Sequence, residues 1–216
     1  LSSDGYVIDR DKDAYFSEVA EYVENLYIVK SGKVIVEKPT ADGRGLALRI
    51  CNKGDIIGEV SLYTKNVKYI LNAKAHVRSE IGVIKKTDLK KSLLRNNDLA
   101  IKLINLMSEH SLRTQTKLRD LVMYGKKGAL YSTLIRLANS YGIEKNNGIV
   151  ISVPFTNQDL ANFCGTSRES INRLLSPLRQ QNILSIESQL ITIHDIDFLK
   201  KEINCEDCPL VFCSIH

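Results

Sequence analysis

Hydrophobic positions follow two different regimes along this 216-residue chain. Between about Tyr22 and Lys85 they form short β-branched or aromatic runs, among them Leu26-Tyr-Ile-Val29, Lys33-Val-Ile-Val36 and Leu46-Ala-Leu-Arg-Ile50. Gly32, Gly43, Gly45, Gly54, Gly58 and Gly82 punctuate them at turn-like spacing. Frequent short strands with glycine turns predict a small barrel or sandwich. After Lys85 the glycines vanish and helix formers take over. From Asp98 to Tyr124, Leu99, Leu103, Leu106, Met107, Leu118, Leu121 and Val122 recur largely every three or four residues, and the pattern stops at Gly125. That spacing predicts one long helix. Ser111, Thr114 and Thr116 interrupt its apolar stripe. A helix of ~40 Å, at 1.5 Å per residue, is too long to bury itself in a small domain. Pairing with a second copy is the natural remedy, so a homodimer through residues 97–125 is expected.

A second helical segment, Ala129 to Tyr141, leads through Glu144-Lys-Asn-Asn-Gly148 to a strand at Ile149 to Val153. Thr156-Asn-Gln-Asp159 then places a carboxylate three residues after a hydroxyl, the cue for a capped helix start. Leu160, Ala161 and Cys164 supply an apolar face, and Gly165 can take a left-handed turn. Thr166-Ser-Arg-Glu169 repeats the cap signal ahead of Ile171, Leu174, Leu175 and Leu178. Two capped helices joined through one glycine, with a small residue where they approach, predict a helix-turn-helix. The outer side of the second helix presents Arg168, Glu169, Asn172 and Arg173 together. Arg can pair in bidentate fashion with guanine, Glu can accept from cytosine, and Asn can pair with adenine or hold phosphate. These four, with Thr156 and Ser167 at the two helix starts, are the candidate contacts to double-stranded DNA. Glu169 faces a competing role, capping its own helix. Pro177 is expected to bend or end the second helix. Beyond it, Asn182-Ile-Leu-Ser-Ile186 and Leu190-Ile-Thr-Ile193 flank Glu187-Ser-Gln189 as a hairpin, the wing of a winged helix.

Composition narrows the class without deciding it. A hydrophobic content of 44% is that of an ordinary globular protein, and a net charge of +5 permits a polyanionic partner. No window of about 18 apolar residues exists to cross a membrane, and the first ten residues lack a signal-peptide layout, so a cytoplasmic protein is expected. The first residue is Leu rather than Met, which reads as a piece of a longer chain. There is no nucleophile elbow, P-loop or Gly-x-Gly-x-x-Gly, and His76, His110, His194 and His216 lack metal-enzyme spacing, so no enzymatic activity is expected.

Three of the five cysteines, Cys205, Cys208 and Cys213, fall within the last dozen residues. Thiolates bunched this closely can ligate zinc or an iron-sulfur cluster, and zinc would find a fourth ligand in His216. Cys51 and Cys164 sit in apolar runs and read as small core residues.

Gly58-Glu59, the long helix and Thr166-Ser-Arg-Glu-Ser-Ile-Asn-Arg173 together resemble the Crp/Fnr family of transcription regulators over nearly the whole chain. The resemblance implies an α+β fold: an N-terminal double-stranded β-helix, a jelly roll like that of cyclic-nucleotide-binding domains, then a dimerisation helix and a C-terminal winged helix-turn-helix. The corresponding segments are 1–96, 97–125 and 126–198, followed by a cysteine-rich tail at 199–216. It implies that Arg168, Glu169 and Arg173 read a TGTGA-type half-site, and that RNA polymerase is a partner. The family's cyclic-nucleotide members continue from Gly-Glu to an Arg-Ser pair. Here the segment after Glu59 is shorter and lacks that pair, with Lys65 or Lys68 as the available substitutes. Binding of cAMP is therefore not expected, and another small effector in the barrel remains an alternative. The tail spacing and Leu118-Arg-Asp120 through Arg136 resemble the Bacillus-type Fnr proteins. That resemblance implies an oxygen-responsive [4Fe-4S] cluster on Cys205, Cys208, Cys213 and Asp120. By position alone, Asp120 would instead pair with Arg119, Arg113 or Lys117.

Overall fold

The structure is a computed structural model that describes residues 5–40, 45–58, 62, 64–206 and 208–216. Gly43 and Glu59 lie outside them. The chain divides into two compact units, residues 1–106 together with His216, and residues 107–215.

The described residues of the first unit form eight strands, β1 (Tyr6–Arg10), β2 (Tyr15–Ser17), β3 (Asn25–Ser31), β4 (Val34–Pro39), β5 (Gly45–Cys51), β6 (Ile56–Ile57), β7 (Asn72–Ala75) and β8 (Ser79–Lys85), the first two of which precede the apolar runs read from the sequence. They form two antiparallel four-stranded sheets, ordered β1-β8-β3-β6 and β2-β7-β4-β5. The first strand thus pairs with the eighth, the second with the seventh, the third with the sixth and the fourth with the fifth. That is the order produced when one long hairpin is rolled up, and it is the expected jelly roll. Side chains that point inward, Val29, Val34, Val36, Cys51, Ile81 and Val83 among them, fill the space between the sheets. Helix α1 (Lys86–Arg95) follows.

Helix α2 (Asn97–Tyr141) is two helices in one, broken at Gly125, whose φ of 60° and ψ of −151° are not helical. Only glycine occupies that region without strain, so the end of the long helix read from the sequence coincides with a real break. Its exposed face keeps part of the expected stripe, since Met107, Leu118, Leu121 and Val122 are exposed, and departs from it elsewhere. Leu103 and Leu106 are half-buried, whereas Ile101, Ile104, Ser108, Ser111, Gln115, Leu118 and Val122 are exposed. These alternate by three and four residues, the spacing that one face of a two-stranded coiled coil would use, with polar residues at its centre.

Beyond the break lie β9 (Gly142–Lys145), β10 (Gly148–Ile151), α3 (Asn157–Phe163), α4 (Arg168–Gln180), β11 (Leu184–Glu187), β12 (Leu190–Ile193) and α5 (Ile196–Glu202). The strands form one sheet, ordered β11-β12-β10-β9. The second part of α2 buries Leu130, Leu134 and Leu137, and the same unit buries Phe155, Leu160, Ile171, Leu175 and Leu199. Strand β9 was not anticipated, because its residues are all exposed and show no alternation. The Ser188-Gln189 wing turn has both residues at positive φ, 50° and 67°, as a two-residue hairpin of matching twist requires. Among the described residues no helix is long and apolar enough to cross a membrane.

Replacing Gly125 with Ala forces a side chain into the glycine-only region. The variant is expected to lose roughly 1–3 kcal/mol, read from urea unfolding. An unchanged midpoint would mean that the break relaxes into ordinary helix without cost.

Candidate functional site

The helix-turn-helix is built by its caps. Thr156 starts α3 with a reciprocal pair: its Oγ1 accepts from the Asp159 amide at 3.1 Å, and Asp159 Oδ2 accepts from the Thr156 amide at 2.8 Å. Gly165, at φ 58°, turns the chain, and the Thr166 amide closes the turn on the Ala161 carbonyl at 3.0 Å. Ala161 is wholly buried, so the small side chain lies inside the fold as expected. The second cap is one residue later than its sequence signal. Ser167, not Thr166, precedes α4 and accepts from the Ser170 amide at 3.3 Å, while Thr166 is buried and its hydroxyl has no partner among the described residues. Pro177 does not end α4, which runs on to Gln180. The bond that proline cannot make belongs to the carbonyl of Arg173, an exposed residue that water can serve.

With Ile171, Leu175 and Leu178 turned inward, α4 presents Arg168, Glu169 and Arg173 fully exposed and Asn172 half-buried. The Glu169 carboxylate is held below its usual range, first by its own backbone amide and by the Ser167 hydroxyl, then by Arg168 and Arg173. In the free protein its cap role is therefore occupied. Asn172 Oδ1 accepts from Asn157 Nδ2 of α3. This leaves the Asn172 NH2 group to donate, which suits a phosphate or guanine acceptor better than bidentate pairing with adenine, where both amide atoms are needed. Arg168 also borders an open cleft of about 520 Å³, shared with Thr156, Asn157, Gln158 and the wing residues Ser188 and Gln189.

The second cluster lies where the tail meets α2. Asp120 is 2% exposed and both its oxygens are engaged. Oδ1 accepts from Arg119 Nε at 3.1 Å and Nη2 at 2.9 Å. Oδ2 accepts from Ser132 Oγ at 2.6 Å and lies 3.4 Å from Arg136 Nη2. Of the three partners suggested by position, Arg119 pairs with Asp120; Arg113 instead donates to the Val211 carbonyl at 2.7 Å and lies 3.4 Å from Glu109. Ser132 and Arg136 were missed, since nothing local links them to Asp120. Arg119 also reaches Glu206, between two of the tail cysteines, at 2.6 Å.

Cys205, Cys208 and Cys213 are free and half-buried. Burial pushes the Cys213 thiol up; Cys205, Cys208 and Asp120 push the same way and Arg136 opposes them. Arg119 and Arg136 link the carboxylate to Glu206 and to the Phe212 carbonyl, each next to a tail cysteine in sequence, and sulfur-rich donor sets of this kind are those that hold iron-sulfur clusters. Among the described residues no three such side chains are already gathered to hold a metal ion. His216 groups with the first unit. Cys51 and Cys164 are core residues, and burial pushes the Cys164 thiol up to about 11.

Near Cys164, the Lys117 ammonium lies 5.2 Å from the centre of the Phe163 ring, and burial lowers it to about 8. In the barrel, a cavity of about 100 Å³ is lined by Ser17, Arg49, Gly58 and Asn72. Arg49 Nη2 donates to the Ile56 carbonyl at 2.8 Å. Lys65 and Lys68 do not line this cavity, and the Lys68 ammonium lies over the Tyr22 ring.

Comparison with known proteins matches residues 128–202 to the Crp-like helix-turn-helix domain and residues 11–96 to the cyclic nucleotide-binding domain. The anaerobic regulatory protein of Bacillus subtilis (strain 168) is 48% identical over 206 residues, covering 95% of this chain and 87% of that protein. The cAMP-activated global transcriptional regulator CRP of Salmonella typhimurium is 26% identical, covering 81% of this chain and 82% of that protein. Among solved structures, FixK2 from Bradyrhizobium japonicum superposes with a TM-score of 0.74 at 20% identity, over 91% of this chain and 96% of that one.

Lys117 yields a pH prediction. Its folded value near 8 lies below the ~10.4 of an unfolded lysine, so the fold releases this proton first. The cost of burying the charge is full below pH 8 and is relieved as pH rises towards ~10.4. Unfolding of the wild type and Lys117→Met, compared at pH 7 and pH 9.5, should show the wild type gaining on the variant at the higher pH. A difference independent of pH would place the ammonium in water.

Proposed function

The chain belongs to the Crp/Fnr family of transcription regulators, and from that premise we propose that it is an oxygen-responsive regulator acting as a homodimer on a palindromic TGTGA-type site, its DNA binding controlled by a [4Fe-4S] cluster. It is a DNA-binding regulator and not an enzyme. The observation that carries the finer reading is that two arginines tie the buried Asp120 to the cysteine tail: Arg119 joins it to Glu206, between Cys205 and Cys208, and Arg136 joins it to the Phe212 carbonyl, next to Cys213. The name of the Bacillus subtilis relative points the same way.

On DNA, Arg168 and Arg173 donate to guanine and Glu169 accepts from cytosine, giving up its contacts at the helix start. Thr156 and Ser167, already engaged as caps, lie at the phosphate edge. Two copies of α4 are needed for two half-sites, and the exposed seam from Ile101 to Val122 supplies the pairing surface: Ile104 and Val122 are 67% and 72% exposed in the single chain. The cluster's ligands are Cys205, Cys208, Cys213 and Asp120. When bound, it supplies an oxygen-labile link between the tail and α2, weakest at the carboxylate, which matches a sulfur cluster less well than thiolate does. The tail follows the winged helix and Asp120 precedes it, so these ligands set how α4 is carried relative to the dimer helix. The barrel takes no cyclic nucleotide in this reading, since the segment after Glu59 lacks the Arg-Ser pair of the family's cyclic-nucleotide members. A cytoplasmic protein that meets RNA polymerase at its promoters completes the proposal.

Anaerobic purification, followed by iron, sulfide and zinc analysis with absorption spectra before and after air, tests the cofactor. About four irons and four sulfides per chain, with absorbance lost in air, are expected. One zinc and no iron would overturn the oxygen-sensing reading and make the tail a structural clip. Base readout is tested separately with Arg173→Ala on half-sites altered one base at a time. Discrimination at its guanine should fall by roughly 1–3 kcal/mol, while a uniform loss across all sequences would reassign Arg173 to phosphate.

A further inference from the structure

Besides the Glu206–Arg119 ion pair, the tail is held to α2 through its backbone. Arg113 Nε donates to the Val211 carbonyl at 2.7 Å, Arg136 Nη1 to the Phe212 carbonyl at 2.8 Å and Asn139 Nδ2 to the Cys213 carbonyl at 2.7 Å. Ser140 Oγ accepts from the Ile215 amide at 3.0 Å. Arg113 lies before the break at Gly125 and the other three lie after it. Of the two arginines, Arg136 is the buried one, 3% exposed, and it reaches further. Its Nη2 donates to Thr116 Oγ1 at 3.0 Å and faces Asp120 Oδ2, while its Nε donates to Ser132 Oγ at 3.1 Å. One guanidinium therefore joins the tail, both parts of α2 and the carboxylate of Asp120.

We propose that Arg136 is a positioning residue that clamps the tail to Asp120 in the metal-free protein and competes with the cluster for that carboxylate. The planar fork of arginine can serve Phe212, Thr116, Ser132 and Asp120 at once, which a lysine ammonium cannot do with fixed geometry. Both oxygens of Asp120 are engaged, so the carboxylate becomes a ligand only by giving up a partner. As it does so, Arg136 keeps its bond to Phe212 and the tail stays in place. When the carboxylate is released, Arg136 and Ser132 take it back. The competition rests on the iron-sulfur reading proposed above, whereas the clamp exists without it.

Hydrogen exchange of the metal-free full chain tests the clamp, comparing wild type, Arg136→Lys, Asp120→Asn and the double variant. Exchange at the Cys213 and Ile215 amides should quicken roughly tenfold in Arg136→Lys, with the α3 amides unchanged as evidence that the fold persists. Asp120→Asn should quicken the same amides, and the double variant should fall short of the sum of the two, because both changes act on the Arg136 guanidinium while the Arg119 route to Glu206 is common to Asp120→Asn and the double variant. Tail exchange unchanged in Arg136→Lys, or fully additive effects, would overturn the clamp. The competition is read from iron release to a chelator after anaerobic reconstitution. Ser132→Ala, which removes a donor from Asp120 and leaves the Phe212 bond, should slow that release several-fold. An equal rate contradicts the competition. A chain that never takes up iron removes the competition and the iron-sulfur reading together, and leaves the exchange result to decide the clamp.

Discussion

A buried ion pair, Asp120 with Arg136, is the constraint on which the second unit is organised. Both side chains are about 3% exposed and their charged atoms are 3.4 Å apart. Ions withdrawn from water cost several kcal/mol each unless their remaining lone pairs and protons are satisfied. Here Ser132, Thr116, Arg119 and the Phe212 carbonyl satisfy them. Removing one partner would strand the other, so the pair dictates where the segment before Gly125, the segment after it and the tail can lie. A fold that needs only stability could use apolar residues here. A carboxylate that also has to leave its partner for another ligand cannot be replaced in that way.

The same principle of prior engagement governs the DNA-facing side. Glu169 is held at the start of its own helix and Asn172 by Asn157, so in the proposed DNA readout base contacts at these two residues would replace existing hydrogen bonds rather than fill empty valences. Such exchange lowers the gain from any one contact and favours a sequence that satisfies several at once. Arg168 and Arg173, exposed on the same face, are the residues that add contacts outright.

What could be read from sequence was what is local. The caps at Thr156 and Asp159, the turn at Gly165, the wing and the stop at Gly125 each depend on residues within one turn of one another. The errors were local too, and small: the second cap falls on Ser167 because Thr166 is drawn into the interior, and α4 runs on past Pro177, whose lost bond falls at an exposed residue, Arg173. The partners of Asp120 were half legible. Arg119 is its neighbour, but Arg136 lies sixteen positions away, across a break whose geometry no periodicity encodes. Arg49 was hidden for a similar reason, since an arginine in a strand run gives no sign of which side of the barrel it lines. The long helix was legible as a length that needed covering, while its exposed face required knowing which leucines the fold had already covered.

The central claim is that the tail and Asp120 set the recognition helices for DNA according to whether the cluster is held. Its most direct measurement is the anaerobic affinity of cluster-loaded and metal-free dimers for one palindromic site, by fluorescence anisotropy at fixed salt. The account predicts that loading tightens binding on the order of tenfold or more, within the usual range of such couplings. Equal affinities would contradict it.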